Sequence, residues 1–379
     1  MSRLPLVVGL LLLFSLARAQ TSPTGEPTPL TRAAGRVVGR LLQENTAERT
    51  YRADLALEAL LELSTELPRP AWRDHVFAVL ARRGLRPDAA VPYRTQPFGC
   101  LTFAVYRATR DPAWIPEFLR ESERSRTEHP RSPEGAVMHP RGTQRGGGDA
   151  LLIDAMQEYA TRMARAGTVT GDAAWLRECA AQFRIYRALL RDPRTGLWSQ
   201  GRGWLTDQPE TLSPGAWSRG HGWLLRGLTA SLAAAPRDTA EFKELRGCLR
   251  ELADALLPRQ LPGGLWPTLL HRPPADSPPD ASGSALIAAA FSRAWREGWL
   301  PDDRVRAAAL HAFAALPACV DGTGHVLSVS PGPGPLESEA DYLVREFPPG
   351  NDHGPFSLMF AAAEAVRLER QPGNPERGR

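Results

Sequence analysis

Two features of this chain carry most of the chemistry its residues can offer: a carboxyl group set among apolar side chains, and an arginine framed by glycines. Asp154 lies in LLIDAMQEYATRMARAGTVTGD, within the first turns of a predicted helix that is otherwise rich in Leu, Ile, Met and Ala. Burial of that kind strips water from a carboxyl and raises its pKa toward the range a general acid needs. Glu158, one turn further on, competes for the role. So does Asp149, which follows Gly146-Gly147-Gly148 and has the type of a helix N-cap. Arg219 stands in AWSRGHGW. A guanidinium grips a carboxylate through two parallel hydrogen bonds, and Gly220 and Gly222 permit close backbone approach. Trp217 and Trp223 offer flat faces for stacking, and His221 adds a donor whose charge depends on pH. The structural alternative for Arg219 is an anchor that ties a loop to an acid of the core.

Metal and thiol chemistry find little support. Cys100, Cys179, Cys248 and Cys319 lie roughly 70 to 80 residues apart with no CxxC pair, so a zinc ribbon or thioredoxin-like motif is absent and buried structural roles are expected. The 379 residues carry 46 basic against 42 acidic side chains and are 42% apolar, which excludes a disordered or collagen-like chain. All basic residues except Lys243 are arginine, interleaved with acids along predicted helices. That pattern lacks the single basic stripe of a nucleic-acid binder.

The N-terminus sets an expected compartment. Arg3, the apolar run Leu4–Phe14 and Ala17-Arg18-Ala19 read as a signal peptide over residues 1–19, too short to span a membrane. A flexible leader over 20–31, a folded domain over 32–370 and a polar tail over 371–379 follow. The expectation is a secreted or periplasmic protein with no membrane attachment after cleavage, as a monomer or small homo-oligomer.

The elements that must position these residues are helices. Stretches apolar around most of their circumference recur near 53–64, 97–108, 150–164, 221–234, 282–295 and 354–368. Nearly all lead through a short turn (ELPRPAW, TRDPAW, TGDAAW, PRDTAEF, LPDDRV) into a more amphipathic helix. Trp72, Trp114, Trp175 and Phe242 recur at matching places, and a helix near 31–44 supplies a twelfth element. Six hairpins with a buried inner set predict a closed (α/α)6 barrel, the open alternative being a solenoid. The connections into the inner helices, near 126–149, 191–220, 258–281 and 317–353, are long and hold Trp198, Trp204, Trp217, Trp266, His139, His271 and His325. Aromatic loops at a barrel mouth suit stacking against sugar rings; pinning the loops to the barrel is the alternative for about half of them.

DPRTGLWSQG (192–201), AWSRGHGW (216–223), ASGSALIAAAF (281–291) and REFPPGNDHGPF (345–356) resemble, in order, the TGLWxHG, WxRGNGW, ETSGTAM and DNHGxG stretches of glycoside hydrolase families 88 and 105. Those are unsaturated glucuronyl and rhamnogalacturonyl hydrolases. The resemblance runs from about Thr109 to Arg367 and implies an (α/α)6 barrel. It also implies an enzyme that releases a 4,5-unsaturated uronic acid from the non-reducing end of oligosaccharides made by lyases. The double bond is hydrated and the resulting hemiacetal opens, without displacement at the anomeric carbon. One carboxyl group suffices, with no metal or organic cofactor.

Aligned on Gly171-Asp172, the family's WVDD-like segment brings its first Asp onto Asp154. The resemblance makes Arg219 the partner of the uronate, with Trp217 and Trp223 as stacking faces and His221 in the place of the usual Asn. His139, in EGAVMHP, resembles the histidine of GGFWHK, and Arg345 and His353 are expected to hold the C-terminal loop. Gln200 takes a histidine position in the site, Asp280-Ala281 replaces Glu-Thr, and Arg94 stands near the place of an earlier acid. These departures keep two other readings open: a barrel hydrolase with different glycan specificity, or a glycan-binding relative without turnover.

Overall fold

The computed structural model describes residues 27–44, 50–86, 100–139, 149–205, 208–332, 334–343 and 347–371. The expected signal peptide, Arg94, Gly146–Gly148, Arg345 and almost all of the polar tail lie outside the described residues.

Burial around the full circumference decides which helices go inside. Every residue from Ala281 to Ser292 is buried in the helix Ala281–Arg296 (α10), and every residue from Phe356 to Val366 in His353–Arg370 (α13). By contrast Ala240–Leu256 (α9) buries one face, with Phe242, Leu245, Leu249, Leu252 and Leu256 at helical spacing. The inner set comprises Tyr51–Glu66 (α2), Leu101–Thr109 (α4), Thr161–Thr170 (α6), Ser218–Ala234 (α8), α10 and α13. The outer set comprises Pro29–Leu41 (α1), Pro70–Arg82 (α3), Ile115–Glu128 (α5), Ala173–Leu190 (α7), α9 and Asp303–Ala315 (α11). A short helix, Glu339–Leu343 (α12), sits in the last long loop.

The hairpins turn by one repeated device. Asp111, Asp172 and Asp302 each accept a hydrogen bond from the backbone N–H two residues on, at 2.9, 2.8 and 2.9 Å. Thr239 caps in the same manner but accepts from the N–H three residues on, that of Phe242, at 3.2 Å, and Trp114, Trp175 and Phe242 are buried just behind these caps.

The ring closes. Helix α10 packs on α8 and α13, α13 packs on α2, α2 on α4, and α6 on α8. Arg165 of α6 lies over the Phe103 ring of α4 at 5.1 Å, completing the circuit. An open solenoid would leave α13 and α2 apart, so the architecture is the (α/α)6 barrel. Helix α1 covers α13 and α11. It begins at Pro29, capped by Thr28, so ordered structure starts inside the stretch expected to be leader.

Two local features shape one end of the barrel. Leu151–Leu152 (β1) pairs antiparallel with Gly201–Arg202 (β2), joining the loops before α6 and after α7. A π-turn over Met156–Ala160 then leads into α6. Gly220 and Gly222 serve packing and not ligand approach: a Cβ at Gly220 would lie 2.8 Å from the Ile153 side chain, and one at Gly222 would lie 2.7 Å from Leu286. All four cysteines are buried and free. Among the described residues no helix is long and apolar enough to cross a membrane.

Candidate active site

Because each inner helix runs the same way, their first residues meet at one mouth, beneath the long loops. Tyr51 opens α2, Asp154 precedes α6, Arg219 and Ser282 lie in the first turns of α8 and α10, and His353 opens α13. N-terminal helix ends present unpaired N–H groups and partial positive charge, a setting that favours anions.

Asp154 is placed by its backbone. Ile153 N–H donates to the Gln200 carbonyl at 2.9 Å, fixing the chain against the β2 loop. The Asp154 carbonyl accepts from Gln157 and Glu158 N–H at 3.0 and 3.2 Å, which starts the helical turn here. No helix begins at Asp149, so the N-cap expected there is not formed. The Oδ2 atom of Asp154 is buried and has no hydrogen-bond partner among the described residues. Burial raises its pKa above the usual carboxylate range, His139 and the Arg219 guanidinium oppose that rise, and Glu158 adds to it. Glu158 is itself buried between two imidazoles, 3.6 Å from His129 Nε2 and 3.9 Å from His139 Nε2.

Arg219 is completely buried. Its Nη1 donates to Ser282 Oγ at 2.9 Å, to the Ser330 carbonyl at 2.7 Å and to Ser330 Oγ at 3.2 Å; its Nη2 donates to the Pro331 carbonyl at 3.0 Å. Asp280 backs this network, accepting from Ser218, Ser282 and Ser330 hydroxyls at 3.1, 2.6 and 2.8 Å. The guanidinium therefore ties the 328–332 loop to the barrel, through carbonyls and hydroxyls and not directly through an acid. Its charge still reaches Tyr51, His353 and Asp154. The free bidentate grip expected from the sequence is not what this geometry offers.

His353 links loop and mouth. Its Nδ1 lies 2.8 Å from Asn351 Oδ1, which makes that nitrogen the donor, and its Nε2 accepts from Tyr51 Oη at 2.8 Å. Burial and the charge of Arg219 hold its pKa well below the imidazole range, so it is neutral. Tyr51 is a mouth residue that the sequence did not single out. Its cue was its place as the first residue of an inner helix.

Several expected binding residues are structural instead. His221 is fully buried; its Nδ1 donates to the Trp217 carbonyl at 2.8 Å and its Nε2 accepts from Trp198 N–H at 3.0 Å. Both ring nitrogens are thus spent on backbone, and burial depresses its pKa to about 4. Trp223 packs against Phe356 in the core, with ring centroids 5.4 Å apart. Trp217 is buried with Leu269 and Tyr342, donates to Ser330 Oγ at 3.0 Å and lies 4.3 Å from the Arg219 guanidinium. Trp198, Trp204 and Trp266 are buried as well. The loop tryptophans pin the loops and leave no large face for a sugar, because so much apolar area is more stable inside. His271 and His325 make loop contacts too, with Glu339 and Arg40.

The profile of glycosyl hydrolase family 88 matches residues 45–369. The chain belongs to that family. It is a glycoside hydrolase. Solved structures agree in fold. A possible member of family 105 from Klebsiella pneumoniae has a TM-score of 0.79 at 20% identity, covering 96% of this chain and 99% of that one. A similar protein from Salmonella enterica gives 0.78 at 20%, covering 91% and 96%. The unsaturated glucuronyl hydrolase of a Bacillus species gives 0.67 at 16%, covering 93% and 99%. No curated protein sequence matches.

In this family 88 hydrolase Gln200 is buried and its Oε1 accepts from Tyr342 Oη at 2.6 Å, so it clamps the last loop to the segment beside Asp154. His139 is buried and its backbone bridges to Ala150, one residue before β1. Among the described residues no three His, Cys, Asp or Glu side chains group as metal ligands. What the mouth offers chemically is a carboxyl group whose pKa burial raises, within reach of the Arg219 charge and the helix N-termini.

Proposed function

We propose that this hydrolase removes 4,5-unsaturated uronic acid from the non-reducing end of oligosaccharides produced by polysaccharide lyases, with Asp154 as the proton donor. The carrying observation is the buried Oδ2 of Asp154, without a partner among the described residues, with its raised pKa at the mouth. In the reaction, Asp154 gives its proton to C4 of the double bond. Water adds its oxygen to C5 and returns a proton to the Asp154 carboxylate. The hydrated ring opens, and the remaining sugar leaves with its hydroxyl restored. One carboxyl group acts as acid and then base, so no second carboxylate at a fixed separation is required. The helix N-termini and the Arg219 charge suit the substrate's own carboxylate. The resemblance of the loop motifs and the unsaturated glucuronyl hydrolase among the similar structures favour the same substrate class. The N-terminal apolar run supports action after export, with cleavage before Gln20.

The test follows the ultraviolet absorbance of the conjugated enol ether in a panel of unsaturated disaccharides generated by lyases. The mature protein is expected to abolish the signal of at least one, and Asp154→Asn to leave it. A wild type that leaves every chromophore intact overturns the reading.

A further inference from the structure

The opposite end of the barrel holds a cavity of about 470 Å³, lined by residues of all six inner helices. Its walls carry seven arginines and five glutamates. The glutamates are well served. Glu58 accepts from Arg165 at 2.7 Å and Arg226 at 3.2 Å, Glu62 and Glu66 from Arg367 at 2.7 and 2.8 Å, and Glu364 from Arg367 and Arg296 at 2.6 and 3.4 Å. These pairs form the floor and one wall.

The arginines are not all served in return. Arg293 of α10 and Arg107 of α4 make no hydrogen bond and no ion pair among the described residues, although both lie within the electrostatic reach of Glu62 and Arg367. Arg293 is partly buried, with its guanidinium 5.6 Å from the Trp299 ring. Arg165 Nη1, Arg226 Nε and Arg296 Nε are buried N–H groups without an acceptor among the described residues. Helix C-termini offset part of the positive charge, yet neither Arg107 nor Arg293 donates to a terminal carbonyl. What remains is a set of forked donors facing a partly open cavity, with a surplus of positive charge and unmet hydrogen-bonding capacity. Burial lowers the pKa of both Arg107 and Arg293, and the nearby glutamates offset that fall only in part.

We propose that this cavity binds a small oxyanion, a phosphate or sulfate group either free or borne on a small molecule, held between Arg107 and Arg293. A tetrahedral oxyanion presents paired acceptors that match two guanidinium forks, and the volume admits a group of sugar size. The site lies at the far end of the barrel from Asp154 and is independent of the reaction assigned there.

The test is calorimetric titration of the mature protein with inorganic phosphate, inorganic sulfate and glucose 6-phosphate, at constant ionic strength with chloride as the balancing anion. Saturable binding is expected for the wild type, weakened about tenfold or more in Arg293→Met and in Arg107→Met, the loss of a charge-assisted hydrogen bond. Equal affinity for phosphate and glucose 6-phosphate would assign recognition to the oxyanion alone, and tighter binding of the ester would add a seat for the sugar. Absence of saturable binding by all three anions overturns the proposal. So does unchanged affinity in both variants, which would put the anion elsewhere. Arg107 is exposed and has no partner among the described residues, so its replacement decides the matter even where Arg293→Met fails to fold.

Discussion

Glu58 and Asp154 are both carboxyl groups withdrawn from water near the axis of the same barrel, and they titrate in opposite directions. Glu58, on the far side, is buried among cations. Arg165, Arg226 and the Cys100 N–H all donate to it, and its pKa is held below the usual value in spite of burial. Asp154, at the mouth, has an Oδ2 with no donor among the described residues and is pushed up. The two arginine environments differ in the same sense. Arg226 faces Glu58 and Glu62, whereas Arg219 spends its donors on neutral hydroxyls and carbonyls and leaves its charge to act on the mouth. A carboxylate with two cations in contact is locked in its charged form, while one that feels cations only at longer range keeps a proton it can move. The far end pairs its buried glutamates with arginines, and the mouth leaves the Asp154 carboxyl without a close cation.

Four substitutions break or sharpen that contrast. Asp154→Asn carries the largest expected effect: turnover of unsaturated disaccharides falls roughly 10²- to 10⁴-fold, the usual worth of a positioned acid–base group. Its raised pKa fixes the sign of its stability effect. Protonation favours the fold below the unfolded-state pKa, and that contribution is lost as pH rises through the folded-state value, so Asp154→Asn is expected to raise the thermal midpoint near neutrality. A lowered midpoint would contradict an uncompensated carboxyl. Turnover of the wild type should likewise decline as pH rises through that value.

Glu58→Gln tests the other carboxyl. It leaves Arg165 and Arg226 facing a neutral group, and denaturant unfolding should show a loss of roughly 3 kcal/mol or more. A cost within about 0.5 kcal/mol, typical of a surface change, would mean that the far end is not held by these charges.

His221 sharpens the description of the mouth's walls as structural. Its pKa falls from the ordinary 6.5 to about 4, so its contribution is complete above 6.5 and is lost as pH drops toward 4. That is worth roughly 3 kcal/mol over the window. Stability curves measured across those pH values should be flatter for His221→Gln than for the wild type, and parallel curves would count against a buried neutral imidazole. Asp172→Ala removes a neutral-backbone cap at a hairpin turn, away from both charge systems. It should cost about 1 kcal/mol and leave the turnover per folded molecule unchanged.

The hairpin turns were legible because their chemistry is local. An Asp two residues before an unpaired N–H caps it whatever lies around, and Asp111, Asp172 and Asp302 all do so. The inner and outer sets were legible too, since all-round apolarity and one-sided apolarity are properties of a helix's own sequence. The roles of AWSRGHGW were not. Trp217, His221 and Trp223 have the residue types of a sugar site, but each found a better place inside, against Ser330, the Trp198 backbone and Phe356. Tyr51 and His353 lie three hundred residues apart in the chain and meet at 2.8 Å because α13 closes on α2. The sequence by itself determined which segments are helices, how they turn and that six hairpins share one pattern. Tertiary structure alone decided which charges meet a partner, because whether a carboxyl at the start of a helix is paired depends on what five other helices bring to the same end of the barrel.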